Sequence, residues 1–231
     1  MSTITVLRAR PGPSLAEAKQ AGAVSIRNSK MPGSSFATSA FACGVGSRLA
    51  EVEGSVCHAC YARRLERFRG NVKAAWTRNL DLARAMIAAD PERWAQLIAH
   101  QVRAYAMLTS EPFHRWFDGG DLDSVAMLRA ICRVAELTPD IAHWLPTRET
   151  WRVRVYLHTG GTIPPNLVLR VSSPMIDDGP LSGWSHTSTV HHRRTLGTDE
   201  VPCEARTRGN VCGPCRACWS PAVKSVSYPK H

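Results

Sequence analysis

Seven of the chain's 8 cysteines fall in two neighbourhoods, a grouping that points to metal ligation or thiol chemistry. Near the C-terminus, "VCGPCRACWSP" sets Cys212, Cys215 and Cys218 at intervals of three, and Cys203 stands nine residues upstream. This spacing matches the first part of a ferredoxin ligand run, in which a compact turn lets successive thiolates face one cubane. Structural zinc sites use paired Cys-x2-Cys knuckles instead. The tail therefore predicts a [4Fe–4S] cluster closed by Cys203, with zinc as the alternative. Gly209, Gly213 and Pro214 suit the tight backbone that such a turn needs.

The other neighbourhood holds Cys43, Cys57 and Cys60, with thirteen residues between the first two and two between the last two. Three thiolates do not close a structural site. Either a fourth ligand such as the adjacent His58 joins them, or one iron stays open to a small molecule. If the two groups met in space they would share fewer metal ions, so one or two clusters are expected. Cys132 is different: it lies on the apolar face of a predicted helix, where a free thiol behaves as a small core hydrophobe.

The elements that must position these residues follow from periodicity. "AGAVSIRNSKMPG" (21–33) reads as a short strand around Val24 and Ile26, and 34–60 as a long loop carrying the first three thiols. Apolar residues recur at helical spacing from Val72 to Ile87. A second helix starts at "DPERW", where Asp90 can cap and Pro91 costs nothing. Strand, loop and helix then alternate: a strand in "FHRWFDGGD" (113–121), a helix in "LDSVAMLRAICRVAEL", a strand in "IAHWLPTRE", a helix in "TWRVRVYLH", a strand in "NLVLRVSS" and a further one in "HTSTVHH". This order predicts an α/β fold: a partial, TIM-like barrel or an open parallel sheet with covering helices. A cysteine-rich C-terminal segment of loops follows. The expected division is residues 1–196 as the barrel domain and 197–231 as the tail packed on it. Sites in such folds gather on the loops after the strands. Those loops offer Asp118, Gly119, Gly120 and Asp121, then Arg148 and Glu149, then Ser172 and Ser173. The plain alternative for the first set is a strand-to-helix turn with Asp121 as helix cap.

No run is long and apolar enough for a membrane span, and the first twenty residues carry no apolar leader core. A cytoplasmic protein is expected, in a compartment that keeps thiols reduced. Lys and Arg number 29 against 19 Asp and Glu, a formal charge of +10, which favours polyanionic partners. A basic tail of Arg206, Arg208, Arg216, Lys224 and Lys230 is the candidate contact to nucleic acid, and His191 to Arg194 a weaker one.

"SKMPGSSFA", "GSVCHACYA", "RWFDGGDL", "WLPTRE" and "CGPCRACW", in this order over nearly the whole chain, resemble the phage protein family known as gene product 88. The resemblance implies a gene carried by a phage or related mobile element and acting in the bacterial cytoplasm; it brings no activity with it. More loosely, the chain is similar to radical S-adenosylmethionine enzymes. Those are partial barrels with a three-cysteine cluster after the first strand and a Gly-Gly-Glu motif after the next. Often they carry a further C-terminal cluster. The likeness implies that Gly119, Gly120 and Asp121 or Asp118 contact S-adenosylmethionine. The cysteine spacing differs, since the family pattern is Cys-x3-Cys-x2-Cys.

The resulting expectation is an iron–sulfur protein whose three-cysteine cluster does redox or radical chemistry on a small-molecule substrate or with an electron donor. Asp118, Asp121, Arg148 and Glu149 would be catalytic, with Arg148 as an anion anchor. Gly119, Gly120 and Ser172 would hold cofactor. The rival is a zinc-stapled nucleic-acid-binding protein without catalysis, or clusters that only hold the fold.

Overall fold

The computed structural model describes residues 13–26 and 30–230. Seven strands form one sheet: β1 (Ser34–Phe36), β2 (Phe113–Trp116), β3 (Ala142–Thr147), β4 (Leu167–Ile176), β5 (Thr187–His191), β6 (Glu200–Pro202) and β7 (Ser225–Pro229). Their order is β1-β2-β3-β4-β5-β7-β6, and every pairing is parallel. The first five strands are added on the same side in succession. Right-handed crossovers then put all the connecting helices on one face, the winding that rolls a sheet toward a barrel.

The helices are α1 (Leu15–Ala18), α2 (Gly44–Leu49), α3 (Tyr61–Phe68), α4 (Gly70–Ala89), α5 (Pro91–Thr109), α6 (Val125–Leu137) and α7 (Thr150–His158). Trp94, Leu97 and Ile98 of α5 and Leu128 and Ile131 of α6 share one core with Phe36, Trp116, Leu145, Leu169 and Val171 of the strands. Cys132 is 2% exposed within that core. Asp90 caps α5 by accepting from the Arg93 N–H at 2.9 Å, with Pro91 in the first turn.

The opposite, inner face of the sheet reads differently. Its first row runs Ser35, Arg115, Trp144 and Val168 across β1 to β4. Arg170, Ser188, Val226 and Tyr228 continue that face on the later strands. Here the C-terminal segment fills the hollow. Trp219 packs against Phe113 and Trp144 at 5.6 and 5.2 Å between ring centres, and its indole N–H donates to the His114 carbonyl at 2.9 Å.

Two expectations about elements are corrected. Around Val24 and Ile26 there is an isolated antiparallel bridge, Ser25 to Ser35, and no strand; residues 27–29 lie outside the described residues. The first strand is Ser34–Phe36, inside the segment predicted as loop, because Phe36 takes the core position against Trp94 and Trp116. The tail after Gly197 is not only loops. It supplies β6 and β7, so the chain's last strands are woven into the same sheet. Serine-rich "SVSYP" pairs on both sides and needs little intrinsic strand preference of its own.

Candidate functional site

The first thiol group sits on the loops at the C-terminal end of the sheet. Cys43 precedes α2 and Cys60 is the residue before α3. The loop between them is tied down at several points. Glu66, 1% exposed, accepts from the Ser39 hydroxyl and the Ala40 N–H at 2.6 and 2.8 Å. Glu149, fully buried, accepts from the Val45 N–H at 2.7 Å and pairs with Arg152. Val56 N–H donates to the Pro174 carbonyl at 2.9 Å, which lays the Cys57 turn on the end of β4. These ties bring the thiols together. A carbon built on Gly46 would lie 3.6 Å from the Cys57 sulfur and 3.7 Å from the Cys43 sulfur.

Burial pushes the Cys43 thiol far up, and Asp121, Cys60 and Cys57 add to it while Arg148 opposes. Burial likewise raises Cys57, with Arg148 again the opposing charge. A bound cation or cluster reverses this cost, because metal ligation takes the thiolate form. Arg148 lies beside both thiols and Asp121, and its Nε is buried without an acceptor. Arg63, stacked over the Phe41 ring at 4.7 Å, also leaves Nη1 buried without an acceptor. Buried unpaired guanidinium donors beside neutral thiols are anomalous. Beside a thiolate-bound cluster, with its sulfides and negative charge, they have partners.

Asp121 does not cap α6; Ser124 does, accepting from the Met127 N–H at 3.1 Å. Asp121 instead accepts from the Thr147 hydroxyl at 2.6 Å, the Leu122 N–H at 2.7 Å and the Arg148 N–H at 2.9 Å. It therefore locks the loop after β2 to the loop after β3 and orients Arg148. Burial pushes its carboxyl up, against the pull of those three bonds. Asp118 pairs with Arg115 at 3.1 Å, and its carbonyl accepts from the Tyr61 hydroxyl. Gly119 and Gly120 are demanded by packing: a Cβ would lie 2.4 Å from the Trp76 ring at the first and 2.1 Å from the Thr38 hydroxyl at the second. Gly120 also takes φ 86° and Phe117 φ 55°, so the chain turns sharply as it leaves β2. Ser172 lies on the inner face and meets the Ser188 hydroxyl at 2.8 Å. His58 is exposed and its Nδ1 sits 3.0 Å from the Ala50 carbonyl.

The second thiol group lies on the inner face. Cys203 follows β6, and its N–H donates to Ser227 at 2.7 Å; Cys212 N–H donates to the Lys30 carbonyl at 2.8 Å. Cys218 Sγ lies 3.2 Å from the Tyr228 hydroxyl, and burial pushes its thiol up to about 12. Burial also raises Cys212, with Cys203 and Cys215 adding to it. The electrostatic couplings of Cys43 run to Cys57 and Cys60, and those of Cys212 and Cys218 to Cys203, so the cysteines form two constellations. Arg115 lies between them, near Tyr61 and Asp118 on one side and Tyr228 and Cys218 on the other. Among the described residues no three Cys, His, Asp or Glu side chains converge on a position for one metal ion, and all the cysteines are free thiols.

Arg170 was not anticipated. It is fully buried on β4 and donates to six backbone carbonyls, those of Cys218, Thr187, Lys224, Ala217, Ser220 and Val223. That fan holds the cysteine segment against the sheet. A lone arginine in the apolar run "NLVLRVSS" was the signal available for it. The tail cations of the nucleic-acid expectation are largely engaged within the protein: Arg216 with Glu111, Arg208 with Glu204, Lys224 with Asp199, and Arg206 with the Lys230 carbonyl. Further on, the backbone of His192, Arg193 and Arg194 wraps the Asp177 carboxylate, and Arg194 pairs with Glu200.

A family model described as gene product 88 matches residues 16–221. No curated protein and no solved structure matches the chain.

Proposed function

This chain belongs to the gene product 88 family, and we propose that it is an iron–sulfur protein. In this reading Cys43, Cys57 and Cys60 hold a [4Fe–4S] cluster with one iron open. Cys203, Cys212, Cys215 and Cys218 hold a second, fully ligated one. The observation that carries the reading is the surroundings of the thiols: two separate constellations, each beside arginine donors that are buried without an acceptor. For the first these are Arg148 and Arg63, and for the second Arg115 and Arg208, whose Cδ lies 3.7 Å from a carbon built on Gly213. A cubane presents its irons at separate corners, so its thiolates need not converge on a point as they would around zinc.

When bound, an open iron supplies electron transfer to a ligated small molecule. The chain's own residues arrange the access. Asp121 fixes Arg148 over the thiols, where its guanidinium can orient an anionic ligand group. Glu149 and Glu66 hold the Cys43 loop rigid. Asp118 is held towards Arg115 and Tyr61 at the side of the site. S-adenosylmethionine is the ligand to try first. Its carboxylate suits Arg148, and its amino group suits Asp118 better than Asp121, whose oxygens already accept three bonds. The reading places the protein in a bacterial cytoplasm; no helix among the described residues is long and apolar enough to cross a membrane.

The test is electron paramagnetic resonance of the dithionite-reduced, anaerobically prepared protein with and without S-adenosylmethionine. Two overlapping cluster signals are expected, one of them altered by the ligand and lost in Cys57→Ser. An unaltered spectrum removes S-adenosylmethionine from the reading, and absence of any cluster signal removes the reading itself.

A further inference from the structure

The helix that leaves the first thiol group carries an exposed face of cations. α3 begins directly after Cys60, and its sequence is "YARRLERF". Its single carboxylate, Glu66, is turned inward to Ser39 and Ala40. What remains outside is of one sign: Arg64, Arg67 and Arg69 are exposed, and so is Lys73 on the next turn of chain. Among the described residues none of these four side chains joins an ion pair, whereas eight other arginines and lysines do. Phe68 projects among them at 72% exposure and Leu65 at 38%.

Spacing makes this a surface and not a scatter. Arg64 and Arg67 are three apart and Arg64 and Phe68 four apart, so they lie on one side of the helix. Like charges at that spacing destabilise an isolated helix, and an anionic partner offsets the cost. An exposed aromatic ring amid unpaired guanidinium groups is the combination that takes single strands of nucleic acid. The cations follow the phosphates and the ring stacks on a base, whose face a duplex would hide. Of the tail cations, Arg208, Arg216 and Lys224 already have carboxylate partners and Arg206 donates to the Lys230 carbonyl.

We propose that the exposed face of α3 and the start of α4, formed by Arg64, Arg67, Phe68, Arg69 and Lys73, binds single-stranded nucleic acid. The inference stands independently of what the thiols hold. A strand on this face would reach the first thiol group at the N-terminal end of α3.

The experiment is fluorescence anisotropy of the full chain with a labelled oligothymidylate about fifteen nucleotides long, over a salt series. Binding is expected to weaken with salt along a log–log line. The triple substitution R64Q/R67Q/R69Q should reduce its slope by about 2, at about 0.7 per phosphate contact in a single strand. Phe68→Ala should weaken binding about tenfold and leave the slope unchanged, the mark of lost stacking. All four side chains are exposed, and circular dichroism of the variants should match the parent. No binding at low salt overturns the proposal, as does a triple variant that binds like the parent. Displacement of the oligonucleotide by polyglutamate as readily as by unlabelled oligonucleotide also overturns it, and assigns the face to an acidic protein.

Discussion

Asp121 holds the loops after β2 and β3 together, and one substitution measures that structural role by itself. Its two oxygens accept from Thr147, Leu122 and Arg148. In Asp121→Asn the amide group must turn an N–H toward one of those donors. A loss of about 1–3 kcal/mol in urea unfolding is expected, whatever the metal content. Cys57→Ser should lower iron and acid-labile sulfide to about half of the parent, since one of two four-iron groups is lost. Cys132→Ala should leave both unchanged and cost stability alone, by about 1 kcal/mol. At this scale the division of the cysteines into two groups was legible, because residue type and spacing alone mark it out. Arg170 and Arg115 were not legible. Most of the Arg170 partners lie 47 to 54 residues further along the chain, and Arg115 faces Tyr61 and Tyr228 from other segments, so only the folded sheet sets them opposite one another.

Among the elements, β4 carries the C-terminal segment through a single side chain. Arg170→Met should free six carbonyls, cost about 3 kcal/mol or more, and expose the segment around 205–220 to protease. The second cluster should be lost and the first retained, read from iron content and spectrum. On the other face, β2 and β3 set His114 beside His143 in one row with Ser34 and Leu167. His143 Nδ1 accepts the Trp116 indole N–H at 3.3 Å, and Nε2 meets the Thr138 hydroxyl at 2.8 Å, which itself donates to the Val134 carbonyl. The ring therefore has no place for a second proton. Burial lowers His143 from 6.5 to about 3 and His114 in the same direction. With the folded value below the unfolded one, the unfolded state takes up protons first. Stability is full above about pH 6.5 and falls as the pH drops toward 3. Urea midpoints at pH 7.5 and 5 should show this decline, and His143→Gln should flatten it.

Sequence periodicity served these elements unevenly. α4, α5 and α6 declared themselves through apolar stripes, α5 with its Asp90 cap as well, and β3 and β4 through apolar runs. β1, β6 and β7 are only 3, 3 and 5 residues long, β1 and β7 are rich in serine and β6 ends in proline, and they exist as strands because a neighbour is already in place. The bridge at Ser25 shows the same limit: an alternating pattern there predicts a strand that the sheet does not take up.

At the scale of the whole molecule, a sheet wound in one direction has two unlike faces, and the chain uses them for different ends. The outer face and its helices make the core. The hollow of the inner face receives the cysteine-rich tail, which closes back into the sheet through β6 and β7. The first thiol group stands on the C-terminal loops, where strand ends converge, and Arg115 and Tyr61 lie between the two groups. The parallel sheet with covering helices was legible from the alternation of strands and helices. The tail's membership of the sheet was not, because loop-like composition conceals strands whose pairing is wholly non-local.

The central claim is that the two constellations hold iron–sulfur clusters. Its most direct measurement is iron, acid-labile sulfide and zinc in the full chain purified without oxygen. The account predicts a brown protein with about eight irons and eight sulfides per chain and little zinc. A colourless protein with stoichiometric zinc and no sulfide would contradict it.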